Sequence, residues 1–417
     1  GDIHMKDKNT KVPEIRFRGF TDAWEQRELG EDIKFVGGAT PFKENPEYWN
    51  GDIVWLSSQE IKERFVTSGT YKITKKAVKD NATKVIKAGT PLIVTRSGIL
   101  AKRFPISIPT VDVAINQDIK ALLYDDERIA TDFLIAGLQK NEGFILKHIV
   151  KTGTTVQSIN LPDFQKFLMA YPMLPEQTAI GNFFHTLDDT ITLHKRKLDK
   201  LKELKKAYLQ RMFPQAGNDV PKVRFAGFTE PWASRKLGEV AEIVRGASPR
   251  PIQDPKWFDE KSNVGWLRIS DVSVQDGRVH YLEQHISKAG QKKTRVLTQP
   301  HLLLSIAASV GKPVINYVNT GVHDGFLIFQ NPNFEIEFMF QWLKMFEEQW
   351  LKYGQPGSQI NLNSDIVKNQ DISIPTKEEQ KHIGNLFLNL DNQVFVRQQK
   401  LDQLNQLKRS YLQRMFL

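Results

Sequence analysis

From Ile180 onward, seam positions recur at alternating steps of four and three: Ile180, Phe184, Leu187, Ile191, His194, Leu198, Leu201, Lys205, Tyr208 and Met212. No Pro or Gly interrupts after Gly181, so the pattern predicts one long helix with a heptad seam. A second seam runs Ile383, Phe387, Leu390, Val394, Arg397, Leu401, Leu404, Lys408, Tyr411 and Met415, with its polar interruptions at the same places. Each helix should open at a proline followed by acid, Pro175–Glu176 and Pro375 to Glu379, where carboxylates suit the positive end of the helix dipole. Each should close in a basic turn, at Arg211 or Arg414. From Glu176 to Phe213 the first helix would hold 38 residues, a length of about 57 Å at about 1.5 Å per residue. Lys205 and Lys408 can snorkel out of the seam, and they also leave room for a partner protein to pair with it.

Elsewhere the apolar runs are short and bounded by Gly, Pro or polar residues. Asp52–Leu56, Pro91–Val94, Val264–Ile269 and His301–Ile306 have strand length, while aromatics recur at helical spacing over 334–351. The stretches 32–165 and 240–370 therefore read as mixed α and β globules.

These elements occur twice. Residues 12–31 match 220–239 at 12 of 20 positions, and 197–213 match 400–416 at 12 of 17. The shared ends suggest a common frame and the divergent middles suggest different targets, although ordinary duplication with drift gives the same pattern. The fold class expected is α+β, with mixed domains over 12–170 and 220–374 separated by two antiparallel coiled-coil helices over 171–214 and 375–417. Connectivity supplies the direction. The linker Pro214–Asn218 places the second domain at the carboxy end of the first helix, so the second helix must run back for the seams to meet. That arrangement has a pseudo-twofold axis and sets the two domains at opposite ends of a rod.

The chain has 417 residues, enough for more than one hydrophobic core, and a net charge of +10 from 58 Lys and Arg against 48 Asp and Glu. A polyanionic partner, nucleic acid first, is favoured. Zero Cys excludes disulfides, cysteine nucleophiles and cysteine-ligated zinc. No apolar run is long enough to span a bilayer, and Gly1–Met5 reads as a vector-derived remnant before an initiator Met, so a cytoplasmic protein is expected. Residues 72–103 hold nine Lys or Arg against the single acid Asp80, and 288–312 hold five with none. Interleaved Ser, Thr, Gln and Asn suit contacts to phosphates and base edges. The candidate DNA-binding residues are Lys72, Lys75, Lys76, Arg96, Lys102 and Arg103 in the first domain, with Arg245, Arg268, Lys292, Lys293 and Arg295 in the second.

Phosphate-loop, zincin and dinucleotide-fold signatures are missing, and the nine His form no metal-ligand spacing. Asn45–Pro46–Glu47–Tyr48 is similar to the Asn-Pro-Pro-Tyr loop of DNA amino-methyltransferases, but no glycine-rich cofactor loop accompanies it. It is expected to be a turn before the Trp55 strand.

The order of motifs resembles the DNA-specificity subunits of type I restriction-modification systems. In the first half these are Arg16–Phe17, Trp24, Leu29–Gly30–Glu31, Gly38–Ala39–Thr40–Pro41, Gly51–Leu56, the Ile159 to Pro175 lead into Glu176–Gln177, and Leu209–Phe213. The second half has Arg224–Phe225, Trp232, Leu237–Gly238–Glu239, Gly246–Ala247–Ser248–Pro249, Trp266–Leu267, Gln359–Ile360, Glu379–Gln380 and Leu412–Phe416. The resemblance implies a noncatalytic subunit that reads a bipartite, asymmetric site on double-stranded DNA, one half-site per target-recognition domain. It also implies assembly with two adenine methyltransferase subunits and two restriction and translocase subunits. ATP, Mg2+ and S-adenosylmethionine would be bound by those partners, and this chain would need no cofactor. Two identical methyltransferases need two similar surfaces, so docking is expected at the shared ends, including Phe17, Phe20, Trp24, Phe225, Phe228 and Trp232. A structural coiled-coil protein and a fused methyltransferase component are the alternatives.

Overall fold

A computed structural model describes residues 12–153, 156–215, 217–353 and 362–417. Gly1–Met5 and Gln359–Ile360 lie outside the described residues. The chain divides into two units, one of Gly1–Lys195 with Lys400–Leu417 and one of Arg196–Gln399. Each unit therefore holds one mixed domain, the first half of its own long helix and the last part of the other.

In the first unit a five-stranded sheet has the order Lys34–Gly37, Ile119–Leu123, Leu92–Val94, Ile106–Pro109, Phe65–Val66. Its neighbours are antiparallel except the last pair, which is parallel. A smaller sheet follows the order Tyr71–Ile73, Trp49–Leu56, Val113–Ile115, Val85–Ile86. The second unit repeats the plan. Its larger sheet runs Glu242–Arg245, Phe326–Gln330, Leu302–Ser305, Pro313–Asn316, Arg278–Val279, again with only the last pair parallel. Its smaller sheet runs Gly265–Trp266, Thr320–Val322, Arg295–Leu297. The middles have diverged in sequence while keeping the strand order of the larger sheet; the smaller sheet of the second unit has no counterpart of Tyr71–Ile73.

Central strands explain which runs could be read in advance. Leu92–Val94 and Leu302–Leu304 are buried at every position, so each run is apolar throughout rather than alternating. The run Val264–Ile269 departs from expectation: only Gly265–Trp266 is strand, and a helix spans Ile269–Val274. Asp271 makes the switch by accepting the Arg268 N–H at 2.9 Å, which caps the helix. The aromatic stretch expected over 334–351 is α-helix over Ile336–Phe346 and 3-10 over Glu347–Tyr353. Asn45–Tyr48 is a turn, a 3-10 helix over Pro46–Tyr48 leading into Trp49–Leu56, and the Asn45 side chain accepts the Glu47 N–H at 3.0 Å.

The long helices are Leu174–Arg211 and Lys377–Met415, 38 and 39 residues. They pack antiparallel within each unit. In the first, Tyr411 lies edge-on to Phe183 at 5.0 Å, and Phe416 stacks on Phe133 at 5.1 Å beside Trp24 and Phe184. In the second, Phe213 takes the place of Phe416, between Phe338, Phe387 and Trp232. Ile180, Leu187, Leu198, Ile383, Leu390, Leu401 and Leu404 are buried seam residues, and Ile191, Leu201 and Val394 are half-buried. The seam lysines are not left for a partner: Lys408 Nζ meets Asp188 at 2.6 Å and Lys205 Nζ meets Asp391 at 2.5 Å.

The shared ends do form a frame. Ile15 N–H donates to Arg414 O, and Val223 N–H to Arg211 O. Glu176 does more than meet a helix dipole. It is buried and takes two bonds from the Arg16 guanidinium, at 2.6 and 2.8 Å, and Glu379 does the same with Arg224 at 2.7 and 2.8 Å. Next to it, the Gln177 side chain accepts the Ala130 N–H and donates to Arg128 O and Pro172 O; Gln380 accepts the Glu335 N–H and donates to Pro375 O. One turn further, a Cβ on Gly181 would lie 2.9 Å from Phe133 N, and one on Gly384 would lie 3.1 Å from Phe338 N. Glycine lets the domain helix approach the long helix at these points.

Candidate nucleic-acid interface

Two loops meet in each domain. In the first, Gly38–Pro41 lies against the turn Asn116–Asp118, with Thr40 Oγ1 donating to Gln117 Oε1 at 2.9 Å and Trp55 Nε1 to Ala39 O at 3.1 Å. In the second, Gly246–Pro249 lies against His323–Gly325, with Ser248 Oγ donating to Asp324 Oδ1 at 2.6 Å. A Cβ on Gly38 would sit 1.8 Å from Ile115 O, and one on Gly246 would sit 2.1 Å from His323 O. The glycine is therefore fixed by close backbone approach, while Thr40 or Ser248 pins the loop.

Cations surround the second loop pair. Arg245 Nε donates to Asp324 O at 2.6 Å, Arg250 reaches Asp324 Oδ2 at 2.7 Å, and Arg295 Nε donates to Arg245 O at 2.7 Å. Thr294 Oγ1 donates to Ala247 O at 2.6 Å, which ties the exposed Lys292 and Lys293 to the same rim. Hydrogen bonding by Ser248, with Arg250 and Arg245 nearby, outweighs burial and holds the Asp324 carboxyl below its ordinary pKa. Burial lowers the pKa of His323, so its ring is neutral at pH 7. One carboxylate among five cations leaves a positive rim that carries both donors and acceptors, which suits phosphates and base edges together.

In the first domain the same loop pair is flanked differently. Arg96 is exposed, and its backbone donates to Asp118 O beside Gln117. Lys102 and Arg103 follow the 3-10 turn Gly98–Ala101. Lys72 lies on the edge strand Tyr71–Ile73, and Lys75 and Lys76 on the short helix Lys75–Lys79. That helix precedes Val85–Ile86 as Lys288–Gln291 precedes Arg295–Leu297, so the two basic stretches occupy equivalent elements. The equivalents of Lys292, Lys293 and Arg295 are thus residues around Lys79 to Lys84, and not Arg96, Lys102 and Arg103. Lys76 is partly committed to Asp80 at 3.4 Å and Glu47 at 3.8 Å. Arg268 sits at the start of the Ile269–Val274 helix, with its side chain held by Asp271 and Glu283.

Two of the expected docking residues are core residues. Trp24 is 2% and Trp232 3% exposed, each walled in by phenylalanines. Phe17, Phe20, Phe225 and Phe228 are half-buried, and Phe225 and Phe228 both touch the His382 ring. Sequence reasoning passed over Gln117, Arg250 and Asp324; the repeated Gly-Ala-Thr/Ser-Pro motif pointed to the loop but not to what it rests on. Among the described residues no group of acids and histidines is placed to hold a metal, and no helix is long and apolar enough to cross a membrane.

The specificity subunit of the Escherichia coli type I restriction enzyme EcoR124I/EcoR124II is 36% identical over 172 residues, which cover 40% of this chain and 42% of that protein. The MjaVIII specificity subunit of Methanocaldococcus jannaschii is 22% identical over 431 residues, covering 98% of this chain and 95% of that one. The crystal structure of a type I S subunit from M. genitalium superposes over 97% of this chain and 99% of its own with a TM-score of 0.65, at 13% identity, which speaks to fold alone. The model of the type I restriction modification DNA specificity domain matches twice, over 21–203 and 229–406. With the match falling once on each copy of the duplicated plan, this chain belongs to the type I restriction-modification specificity family, as a subunit that carries no catalysis of its own.

Proposed function

We propose that this chain reads a bipartite, asymmetric DNA site, one half-site through each mixed domain, and directs methylation or cleavage by partner subunits. The observation that carries this reading is the duplicated loop pair, built on one strand order of the larger sheet but ringed by different side chains: Arg96, Thr40 and Gln117 in one domain, Arg245, Ser248, Arg250 and Asp324 in the other. Equal scaffolds with unequal rims suit two unlike half-sites on one duplex. The recognition domains are 12–170 and 220–374, and the helices over 171–214 and 375–417 join them. Lys72, Lys75, Lys102, Lys292 and Lys293 are exposed and suit phosphate contacts, whereas Arg96, Arg245 and Arg295 flank the loops and suit base edges. Two methyltransferase subunits dock on the repeated ends around Phe17, Phe20, Phe225 and Phe228, and two restriction and translocase subunits join for cleavage.

Sequencing methylated adenines in cells that carry this chain with its methyltransferase tests the proposal. Two unlike half-sites separated by a fixed number of unspecified base pairs are expected. A single continuous or palindromic site would overturn it.

A further inference from the structure

Each unit contains a shielded cluster of four charges in which the mixed domain grips both long helices. In the first, Arg64 stands just before the edge strand Phe65–Val66. Its guanidinium binds Asp188 of the first long helix at 2.6 Å and also Asp132, in the first turn of the domain helix Thr131–Lys140. Asp188 in turn receives Lys408 from the second long helix at 2.6 Å. In the second, Arg278 opens the equivalent edge strand and binds Glu337 at 2.7 Å and Asp391 at 2.9 Å, while Asp391 receives Lys205 at 2.5 Å. The four charges match position for position, although Arg64 and Arg278 lie in stretches with no sequence match. Exposure is low and nearly equal, 14% and 13% for the two arginines and 12% for both aspartates.

Shielded ion pairs are a weak source of stability, since desolvation cancels much of their attraction. Their recurrence at one place in two diverged domains therefore points to geometry. The domain already meets the long helix near its start, through Gln177 and the backbone of Arg128 and Ala130. Asp188 lies eleven residues further on, about 17 Å along the helix. A domain held only over the first turns of the helix, by Gln177 and by Gly181 against Phe133, can rock more freely than one also held further along it. Slack of roughly 2 Å at that further point is a rotation of about 7°. Over a domain about 30 Å across it moves the far edge by about 3.5 Å, close to the rise of roughly 3.4 Å per base pair.

We infer that Arg64 and Arg278 are positioning residues, clasps that hold each recognition domain at one tilt so that a single spacer length between half-sites is accepted. The inference rests on the bipartite reading above. The experiment uses the full chain with its methyltransferase, in the wild type and as Arg64→Ala, Arg278→Ala and Arg64→Lys, on substrates whose spacer changes one base pair at a time. Glu337→Gln, which keeps shape and weakens the pair, serves if an arginine variant does not fold. The wild type should favour one spacer. In the variants, methylation at spacers one pair longer or shorter should rise on the order of tenfold relative to the optimum, with both half-site sequences unchanged. Arg64→Lys should not restore the profile, because a single ammonium cannot replace a fork that spans two carboxylates. A uniform loss at all spacers, with the profile's shape unchanged, or full restoration by lysine would overturn the clasp. A wild type that methylates no two-part site would instead overturn the reading beneath it.

Discussion

Replacing Glu176 by Gln breaks the bidentate bond from Arg16 and keeps the side chain's size. The carboxylate is 1% exposed while the arginine keeps 14% and a second bond, to Asp22 O at 2.6 Å. Breaking a fully buried pair costs about 3–5 kcal/mol, and an exposed pair is worth up to about 1 kcal/mol. With one partner buried and the other at the edge of solvent, about 2–3 kcal/mol is expected. Removing both charges, as Arg16→Met with Glu176→Leu, should cost less than either single change, because no charge is then left stranded. The repeat supplies a replicate in the same molecule: Arg224 and Glu379 have the same geometry at 2.7 and 2.8 Å, and Glu379→Gln should lose a similar amount. Urea denaturation of Glu176→Gln and Glu379→Gln, and of two cycles built from Arg16→Met with Glu176→Leu and from Arg224→Met with Glu379→Leu, followed by tryptophan fluorescence and with hydrogen exchange at Ala130 and Glu335 to localise the change, measures both pairs. Single variants that lose under about 1 kcal/mol, or doubles equal to the sum of their singles, would show that the pairs do not hold the domains to the helices.

On the DNA side, Lys293→Ala should weaken all sequences alike and reduce the salt slope by about 1, whereas Arg295→Ala should cost about 1–3 kcal/mol on the correct half-site and relax one position, both read from binding isotherms at several salt concentrations. Trp24→Ala and Trp232→Ala should each cost about 3–5 kcal/mol of stability, seen as lower urea midpoints, and a variant that keeps its midpoint while shedding one methyltransferase copy would return that tryptophan to the docking surface. For pH, burial raises the Asp391 pKa but Lys205 and Arg278 outweigh it, so the folded value lies below the ordinary one. Its contribution is present above the unfolded pKa of about 3.9 and is lost as pH falls through the folded value. Asp391→Asn should therefore lower the urea midpoint at neutral pH, and the gap to wild type should close below about pH 4.

The long helices were legible because a heptad seam is a local, repeated signal, written over more than thirty consecutive residues in each copy. Strands were legible where an apolar run is largely buried, as at Leu92–Val94 and the end of Trp49–Leu56; short edge strands such as Phe65–Val66 and Arg278–Val279 leave no pattern of their own. The likeness of the two larger sheets was hidden because what is shared is strand order, set by long-range pairing, and not residue identity. Long range also hid much of the interface: Thr40 was flagged by its motif, but Gln117, on which it rests, is 77 residues away. The burial of Trp24 and Trp232 was hidden for the same reason. A repeated aromatic looks alike whether it faces a partner or a core, and the ring that seals Trp24 is Phe416, from the other end of the chain.

That last contact sets an order of events during synthesis. The second unit is one continuous stretch, Arg196–Gln399, and can close its core as soon as that stretch leaves the ribosome. The first unit cannot, although it is made first. Trp24, Phe133 and Phe184 wait for Phe416, with about two hundred residues still to be translated after Lys195, or about 10–40 s at about 5–20 residues per second. Through that interval the nascent amino-terminal half carries an unsealed aromatic pocket. Its closure has to wait until Phe416 is made, and the holdase chaperones that bind such surfaces on ribosome-bound chains should engage this half longer than the other.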